Sequence, residues 1–89
     1  MKNVHELEKL FKGCASHRRM QIMFLIERRA NLSVFDIADE VRSDFKNVAE
    51  HLRKLTIAGL VAKRRMGVAV GHSLTDLGKR VLGFCRSLE

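Results

Sequence analysis

Two short helical patterns separated by only three residues constrain the fold of this chain more than any other feature. Ser33 is suited to cap a first segment over residues 34–41, and Asp44 is suited to cap a second segment over residues 45–58. Apolar residues recur at helical spacing within both segments. Because so short a connection keeps two helices adjacent, this stretch predicts a helix-turn-helix unit.

The other patterns predict three further helices and one β-hairpin. Helical apolar spacing and β-branched runs place these elements at residues 3–13, 17–29 and 76–88 for the helices, and 60–65 and 68–74 for the strands. Gly13 is expected to stop or kink the first helix, and Gly59 to end the fourth as a left-handed cap. We therefore expect a mainly α fold with a small β-hairpin, in one domain over residues 1–89.

Positive charge is concentrated in the middle third of the chain. The sequence has 17 lysines and arginines against 10 acidic residues, and residues 42–72 alone hold seven bases and two acids. Such an excess indicates a polyanionic partner, with nucleic acid first. No apolar stretch is long enough to span a membrane, and the N-terminus turns polar where a signal peptide would become apolar. We expect no membrane partner and a cytoplasmic location.

The second helix of the helix-turn-helix unit is the expected DNA-reading element. Its exposed N-terminal side chains would face base edges in the major groove, where Asn can read adenine and Glu can accept a hydrogen bond from cytosine. Basic side chains further along, and in a hairpin that acts as a wing, would meet phosphates. The candidate contacts with double-stranded DNA are Ser43, Phe45, Lys46, Asn47, Glu50, His51, Arg53, Lys54, Lys63, Arg64, Arg65 and His72.

For any one of these residues, a solvated surface is the simpler explanation, and it is their combination that favours DNA. For three of these candidates, a specific alternative role stays open. Phe45 lies on the DNA face or fills the core, His51 orients its helix or meets a phosphate, and His72 belongs to a strand face or contacts a phosphate.

Four segments resemble ArsR-type winged helix-turn-helix repressors. Residues 15–26 resemble the second helix of these proteins, and residues 32–38, L-S-V-F-D-I-A, resemble the entry to their helix-turn-helix. Residues 48–61, V-A-E-H-L-R-K-L-T-I-A-G-L-V, match the pattern V-S-x-H-L-x-x-L-x-x-A-G-L-V without a gap. Residues 74–78, L-T-D-L-G, continue as the L-T-x-x-G that follows the wing in ArsR- and MarR-like domains.

This resemblance implies a winged helix-turn-helix of order α-α-α-α-β-β-α and a sequence-specific DNA-binding transcriptional regulator, expected to be a dimeric repressor. The alternative is a winged-helix module that binds proteins or coats nucleic acid without sequence preference. The family often has Leu where this chain has Ser43, so Phe45 could fill that place in the core.

Metal sensing is not implied, because the expected ligands are missing. ArsR-type metal sensors often carry cysteines where this chain reads Ser33-Val34-Phe35-Asp36, and its last helix has Asp76 but no histidine. No metal cofactor and no metal or small-molecule effector is therefore indicated. We favour reduced, buried cysteines over a redox switch for the chain's two cysteines. The absence of a phosphate loop, a nucleophile elbow and a carboxylate pair argues against an enzyme.

The terminal helices are expected to pair two copies of the chain. Regulators of this kind usually pair, because one recognition helix reads only a few base pairs. The expected dimer residues are Val4, Leu7, Phe11 and Cys14 in the first helix, and Leu77, Val81, Phe84, Cys85 and Leu88 in the last. ArsR-type proteins dimerise through these two helices, so the resemblance implies the same homodimer. The alternative is that both helices pack only on each other within one chain.

Overall fold

A computed structural model describes residues 2–89, which form five α-helices and one two-stranded antiparallel sheet. The elements in chain order are α1 (Val4–Cys14), α2 (His17–Arg28), α3 (Val34–Val41), α4 (Phe45–Ile57), β1 (Val61–Met66), β2 (Ala69–Leu74) and α5 (Asp76–Ser87). This order confirms the predicted fold class, and every boundary lies within one residue of its expected position. Met1, at the start of the predicted domain, lies outside the described residues.

Side-chain caps fix where the last four helices begin. Each capping oxygen accepts a hydrogen bond, 2.8–3.3 Å long, from the backbone N–H three residues further along the chain. A cap of this kind contributes about 1 kcal/mol. The caps are Ser16, Ser33, Asp44 and Thr75. Because each cap is a local interaction, all four could be predicted from the sequence.

The hydrophobic core is centred on α2. Ile22, Met23 and Ile26 are fully buried there, because α2 packs against α3, α4, α5 and β2. The other fully buried apolar side chains come from the surrounding elements and are Ile37, Val48, Leu52, Leu55, Leu60, Val61 and Leu82. Within residues 2–89, no helix is both long enough and apolar enough to cross a lipid bilayer.

The hairpin is joined to the helices at its base rather than standing free. Its strands pair in register from Val61 opposite Leu74 to Met66 opposite Ala69. At the base, the N–H of His72 donates to the carbonyl of Leu32 at 3.0 Å, and the carbonyl of His72 accepts from Asn31 at 2.8 Å. This bridge holds the hairpin beside the connection between α2 and α3.

Gly13 has a different role from the one predicted. The helix α1 continues through Gly13 to Cys14, so this glycine neither stops nor kinks it. A Cβ atom placed on Gly13 would lie 2.4 Å from the Cβ of Ala58, which follows α4. Gly13 therefore allows α1 and the end of α4 to approach closely.

Gly59 has the left-handed conformation that the sequence predicts, with φ of +80°. We expect Gly59→Val to lower the free energy of unfolding by more than about 1 kcal/mol, because a β-branched residue is strained at positive φ. The nearest atom to an added Cβ is Leu77 Cδ2 at 3.9 Å, so the Cβ itself would not be crowded. Denaturant unfolding would measure this change.

Gly59→Asn is the matched control, since asparagine tolerates positive φ better than other residues with a side chain. We expect it to cost less than half as much as Gly59→Val. Equal losses of stability in the two variants would contradict the assignment of this cap.

Candidate nucleic-acid interface

The buried face of α4 determines which of its side chains reach solvent. Val48, Leu52 and Leu55 point into the core and are almost completely inaccessible. Because a helix turns every 3.6 residues, the opposite face is presented outward. The candidate DNA contacts on this exposed face are Phe45, Lys46, Asn47, Glu50, Arg53 and Lys54.

The N-terminal cap of α4 also orients a candidate base-reading side chain. One carboxylate oxygen of Asp44 accepts the backbone N–H of Asn47 at 2.8 Å, and the other accepts its side-chain Nδ2 at 2.7 Å. The carboxylate is thus held by the positive end of the helix dipole. One amide hydrogen of Asn47 is used in this contact, which fixes the plane of the amide at the exposed start of the helix.

Glu50 and Arg53 form an ion pair on the exposed face of α4. The carboxylate of Glu50 accepts from Nε and from Nη2 of Arg53, both at 2.7 Å. This hydrogen bonding lowers the pKa of Glu50 to about 2, so its carboxylate stays charged. The sequence predicts a base contact for Glu50 and a phosphate contact for Arg53. The geometry couples the two, since a phosphate must compete with Glu50 for the guanidinium.

His51 is half-buried and bound to an arginine of another helix. Its Nδ1 accepts a hydrogen bond from Nε of Arg19 at 3.2 Å. Arg19 Nη1 also donates to the carbonyls of Lys12 and Gly13, at 3.0 and 3.1 Å. This geometry favours an orienting role for His51 over a phosphate contact. Sequence reasoning missed Arg19, because 32 positions separate it from His51 and no local pattern marks the pair.

The basic residues of the wing lie along β1. Lys63, Arg64 and Arg65 are all exposed. Side chains alternate between the two faces of a strand, so Lys63 and Arg65 share one face and Arg64 occupies the other. The three cations therefore cannot all meet the same stretch of DNA backbone from a rigid strand.

The structure corrects the prediction for His72. Its side chain is only 1% exposed, and Nδ1 lies 2.9 Å from the carbonyl oxygen of Leu32. A phosphate cannot reach a ring enclosed in this way. His72 instead fastens the base of the wing to the connection before α3, which matches the alternative of a strand-face residue.

Of the two alternatives for Phe45, the one in which it fills the core in place of the residue at Ser43 is wrong. Phe45 is 45% exposed, and its ring stacks on Phe35, with the ring centroids 4.7 Å apart and the planes tilted by 32°. Ser43 is half-buried in the turn, where its N–H donates to the carbonyl of Ala38 at 3.0 Å. Phe35 is 71% exposed, and sequence reasoning gave it no role in binding.

Most of the predicted dimer residues form an apolar surface on the terminal helices. The exposed ones are Val4, Leu7, Phe11, Phe84 and Leu88, and the half-buried ones are Leu77, Val81 and Cys85. The prediction that Cys14 belongs to the dimer surface is wrong, because its side chain is only 7% exposed within its own chain. Burial raises the pKa of the Cys14 thiol, and its Sγ lies 3.6 Å from the carbonyl oxygen of Phe11.

Potential metal ligands do not converge in the part of the chain that the structure describes. Among residues 2–89, no three His, Cys, Asp or Glu side chains lie close enough together to hold a metal ion. Ser33 caps α3, and Asp36 supplies the N–H that this cap accepts.

Comparison with known proteins yields both a family and a set of relatives. Residues 16–63 match the sequence model of the arsR family of bacterial regulatory proteins. The chain is 30% identical, over 74 residues, to a cadmium resistance transcriptional regulatory protein of Staphylococcus aureus, a CadC homolog. That alignment covers 83% of this chain and 61% of the relative, so the chain spans less than two-thirds of the relative's length.

Solved structures share the arrangement of elements. The homodimeric winged helix-turn-helix DNA-binding domain of a possible ArsR-family regulator from Mycobacterium bovis has a TM-score of 0.87 at 22% identity. That alignment covers 96% of this chain and 79% of the other. HlyU from Vibrio cholerae has a TM-score of 0.84 at 26% identity, over 98% and 95% of the two chains. These likenesses confirm the winged helix-turn-helix fold.

The contact between His51 and Arg19 predicts a pH-dependent stability. Burial and the nearby Arg19 lower the pKa of His51 from its ordinary value of 6.5. The unfolded chain therefore binds a proton at higher pH than the folded chain does. The stability contributed by neutral His51 is fully present above pH 6.5 and is lost as the pH falls toward the lowered pKa.

His51→Gln keeps an acceptor for Arg19 but cannot titrate. We expect its free energy of unfolding to fall less than that of the wild type between about pH 7.5 and about pH 5.5. Identical pH profiles for the wild type and His51→Gln would contradict the assigned contact.

Proposed function

This chain belongs to the arsR family of bacterial regulatory proteins, and we propose that it is a homodimeric transcriptional regulator that binds double-stranded DNA sequence-specifically. The residues 1–89 act as one winged helix-turn-helix unit, whose terminal helices pair two copies. The family consists of regulatory proteins rather than enzymes. Since its target is bacterial DNA, we place its action in the cytoplasm.

The exposed face of α4 is the observation that carries the proposal. Its first two turns present Lys46 and Asn47, which have the chemistry to contact phosphates and base edges. Lys54 extends the cationic surface toward the end of the helix, and the exposed cations of β1 extend it into the wing. A helix of this kind fits the major groove while the hairpin lies beside the duplex.

A metal effector is not part of the proposal, although one relative is a cadmium resistance regulator. The positions where ArsR-type metal sensors often carry cysteines hold Ser33, Val34, Phe35 and Asp36 in this chain. Carboxylate, hydroxyl and phenyl groups at these places lack the thiolates that soft metal ions prefer.

The apolar surface on the terminal helices supports the homodimer. Phe11 and Phe84 are each more than half exposed, and they border an apolar cavity of about 180 Å³ that also contacts Cys14 and Cys85. Covering such a surface with a second copy would remove it from water. The related domain from Mycobacterium bovis is a homodimer, which favours the same assembly here.

Two substitutions on α4 separate backbone contacts from base reading. We expect Lys54→Ala to weaken binding to all duplexes alike, and to reduce the slope of log affinity against log salt by about 0.9 through loss of one phosphate contact. We expect Asn47→Ala to weaken binding to a preferred duplex by about 1–3 kcal/mol relative to random duplexes, because it removes base hydrogen bonds. Fluorescence anisotropy over a range of salt concentrations measures both effects.

Lys79→Ala is the control for charge alone, because Lys79 is exposed on α5, away from the proposed interface. It should leave the affinity and the salt slope unchanged. Equal weakening on preferred and random DNA by Asn47→Ala would contradict base reading. It would favour a module that coats nucleic acid without sequence preference.

Phe84→Glu should separate the two copies of the chain. A carboxylate in an apolar interface loses its hydration without gaining a partner, so we expect monomers of 10.2 kDa and weaker DNA binding. The helical content should remain, because Phe84 is 58% exposed within its own chain. Analytical ultracentrifugation gives the oligomeric state, and circular dichroism gives the helical content.

Val68→Glu is the matched control, since Val68 is a fully exposed apolar residue at the tip of the wing. It should remain a dimer. A wild-type protein that sediments as a monomer at concentrations on the order of tens of micromolar would overturn the dimer proposal.

A further inference from the structure

Two phenylalanine rings form an exposed apolar surface at the start of the helix-turn-helix. Phe35 is the second residue of α3, and Phe45 is the first residue of α4. Their rings stack on each other, and both remain exposed, Phe35 more than Phe45. Exposed rings that contact each other outside the core commonly mark a binding surface.

The paired rings border a groove between the helices and the wing. This groove has a volume of about 370 Å³, and Val68 and Val70 of the hairpin line its other side. Three elements therefore contribute to one apolar groove: the start of α3, the start of α4 and the end of the hairpin. We call it the Phe35–Phe45 groove.

The Phe35–Phe45 groove adjoins the proposed DNA interface rather than the proposed dimer surface. Phe45 immediately precedes Lys46 and Asn47, and the N-terminal residues of a recognition helix are those that reach base edges. The dimer surface lies on α1 and α5, which do not line the groove. The groove is thus continuous with the face that would meet DNA.

The surrounding charges also favour DNA. Lys46 lies beside Phe45 on α4, and the exposed cations of β1 lie on the same hairpin as Val68 and Val70. Asp44, the cap of α4, has its carboxylate held by Asn47 and the helix N-terminus, while Asp36, which follows Phe35 on α3, is the exposed acid beside the groove. A polyanion can therefore approach the groove without meeting an unpaired carboxylate at the start of α4.

A phenyl ring has no N–H or O–H group, so its main contact with a base edge is apolar. The apolar group that the major groove offers is the 5-methyl group of thymine, and Phe is among the side chains suited to it. We propose that Phe45, held in place by Phe35, selects thymine at one position of each DNA half-site through its 5-methyl group. This inference rests on the proposed DNA-binding function and assigns Phe35 the role of a positioning residue.

Replacing thymine by deoxyuridine removes this methyl group and leaves the base pairing unchanged. The probe is the duplex that the wild-type protein enriches from a random pool, with each thymine replaced singly by deoxyuridine. At one position in each half-site, we expect the wild type to bind about fourfold more weakly, the fold-change that corresponds to burying one methyl group. The remaining replacements should have little effect.

Phe45→Ala tests whether this side chain contacts the methyl group. We expect this variant to bind the unmodified duplex more weakly and to be insensitive to deoxyuridine at that one position. Phe35→Ala should reduce the sensitivity without abolishing it. Ile57→Ala, which shortens an exposed apolar residue at the other end of α4, should keep the full wild-type sensitivity. Thermal unfolding of each variant establishes that it is folded.

Three outcomes would overturn the proposal. If the wild type binds the enriched duplex but Phe45→Ala keeps the same deoxyuridine sensitivity, the methyl contact is wrong while the proposed function stands. If Phe35→Ala and Phe45→Ala change the sedimentation of the protein instead, the groove joins copies of the chain. If the wild type shows no salt-dependent binding to any duplex, the proposed function fails together with this inference.

Discussion

Burial of one face of α4 is the constraint on which the rest of the structure depends. This face buries three large apolar side chains, those of Val48, Leu52 and Leu55. The burial of each one stabilises the fold by roughly 1.5–3 kcal/mol. Rotating the helix about its axis would expose them. The rotation of α4 is therefore fixed, and so is the outward direction of Lys46, Asn47 and Glu50. The outward direction of the proposed DNA-binding face therefore follows from the packing of the core.

Two polar contacts on the exposed face of α4 determine how its side chains are oriented and charged. The cap at Asp44 orients the amide of Asn47, and the ion pair with Glu50 holds the guanidinium of Arg53. Both contacts place an acid beside a group that is suited to DNA. The free protein therefore keeps both side chains ordered, and the charge of Arg53 is partly neutralised. A phosphate must offer a better interaction than the carboxylate of Glu50 if it is to engage Arg53. Non-specific attraction by this arginine is reduced accordingly.

The local features of the fold could be predicted from the sequence, and the long-range ones could not. Ser33, Asp44 and Gly59 act through hydrogen bonds and dihedral angles within a few residues, so their roles were evident from their neighbours. His72 and Arg19 are different, because each is bound to a partner more than 30 positions away. Periodicity cannot reveal such pairs, which depend on how the elements pack.

The candidate site shows the same division. The exposed polar residues of α4 follow from its helical period, whereas the stacking of Phe45 on Phe35 depends on how α3 and α4 pack together. The sequence leaves Phe45 open between the core and the DNA face, and in the structure its ring stacks on Phe35 across the turn. The close approach of Gly13 to Ala58 also depends on how two helices pack. The sequence alone indicates only that a glycine near a helix end can stop the helix.

Titration of the isotopically labelled protein with duplex DNA, followed by nuclear magnetic resonance, tests the central claim most directly. If α4 and the wing form the DNA interface, the largest changes in amide chemical shift will lie within residues 43–54 and 61–70. The core of α2 should change little. Changes centred on α1 and α5, with α4 unaffected, would contradict this account, because the exposed face of α4 would then not contact DNA.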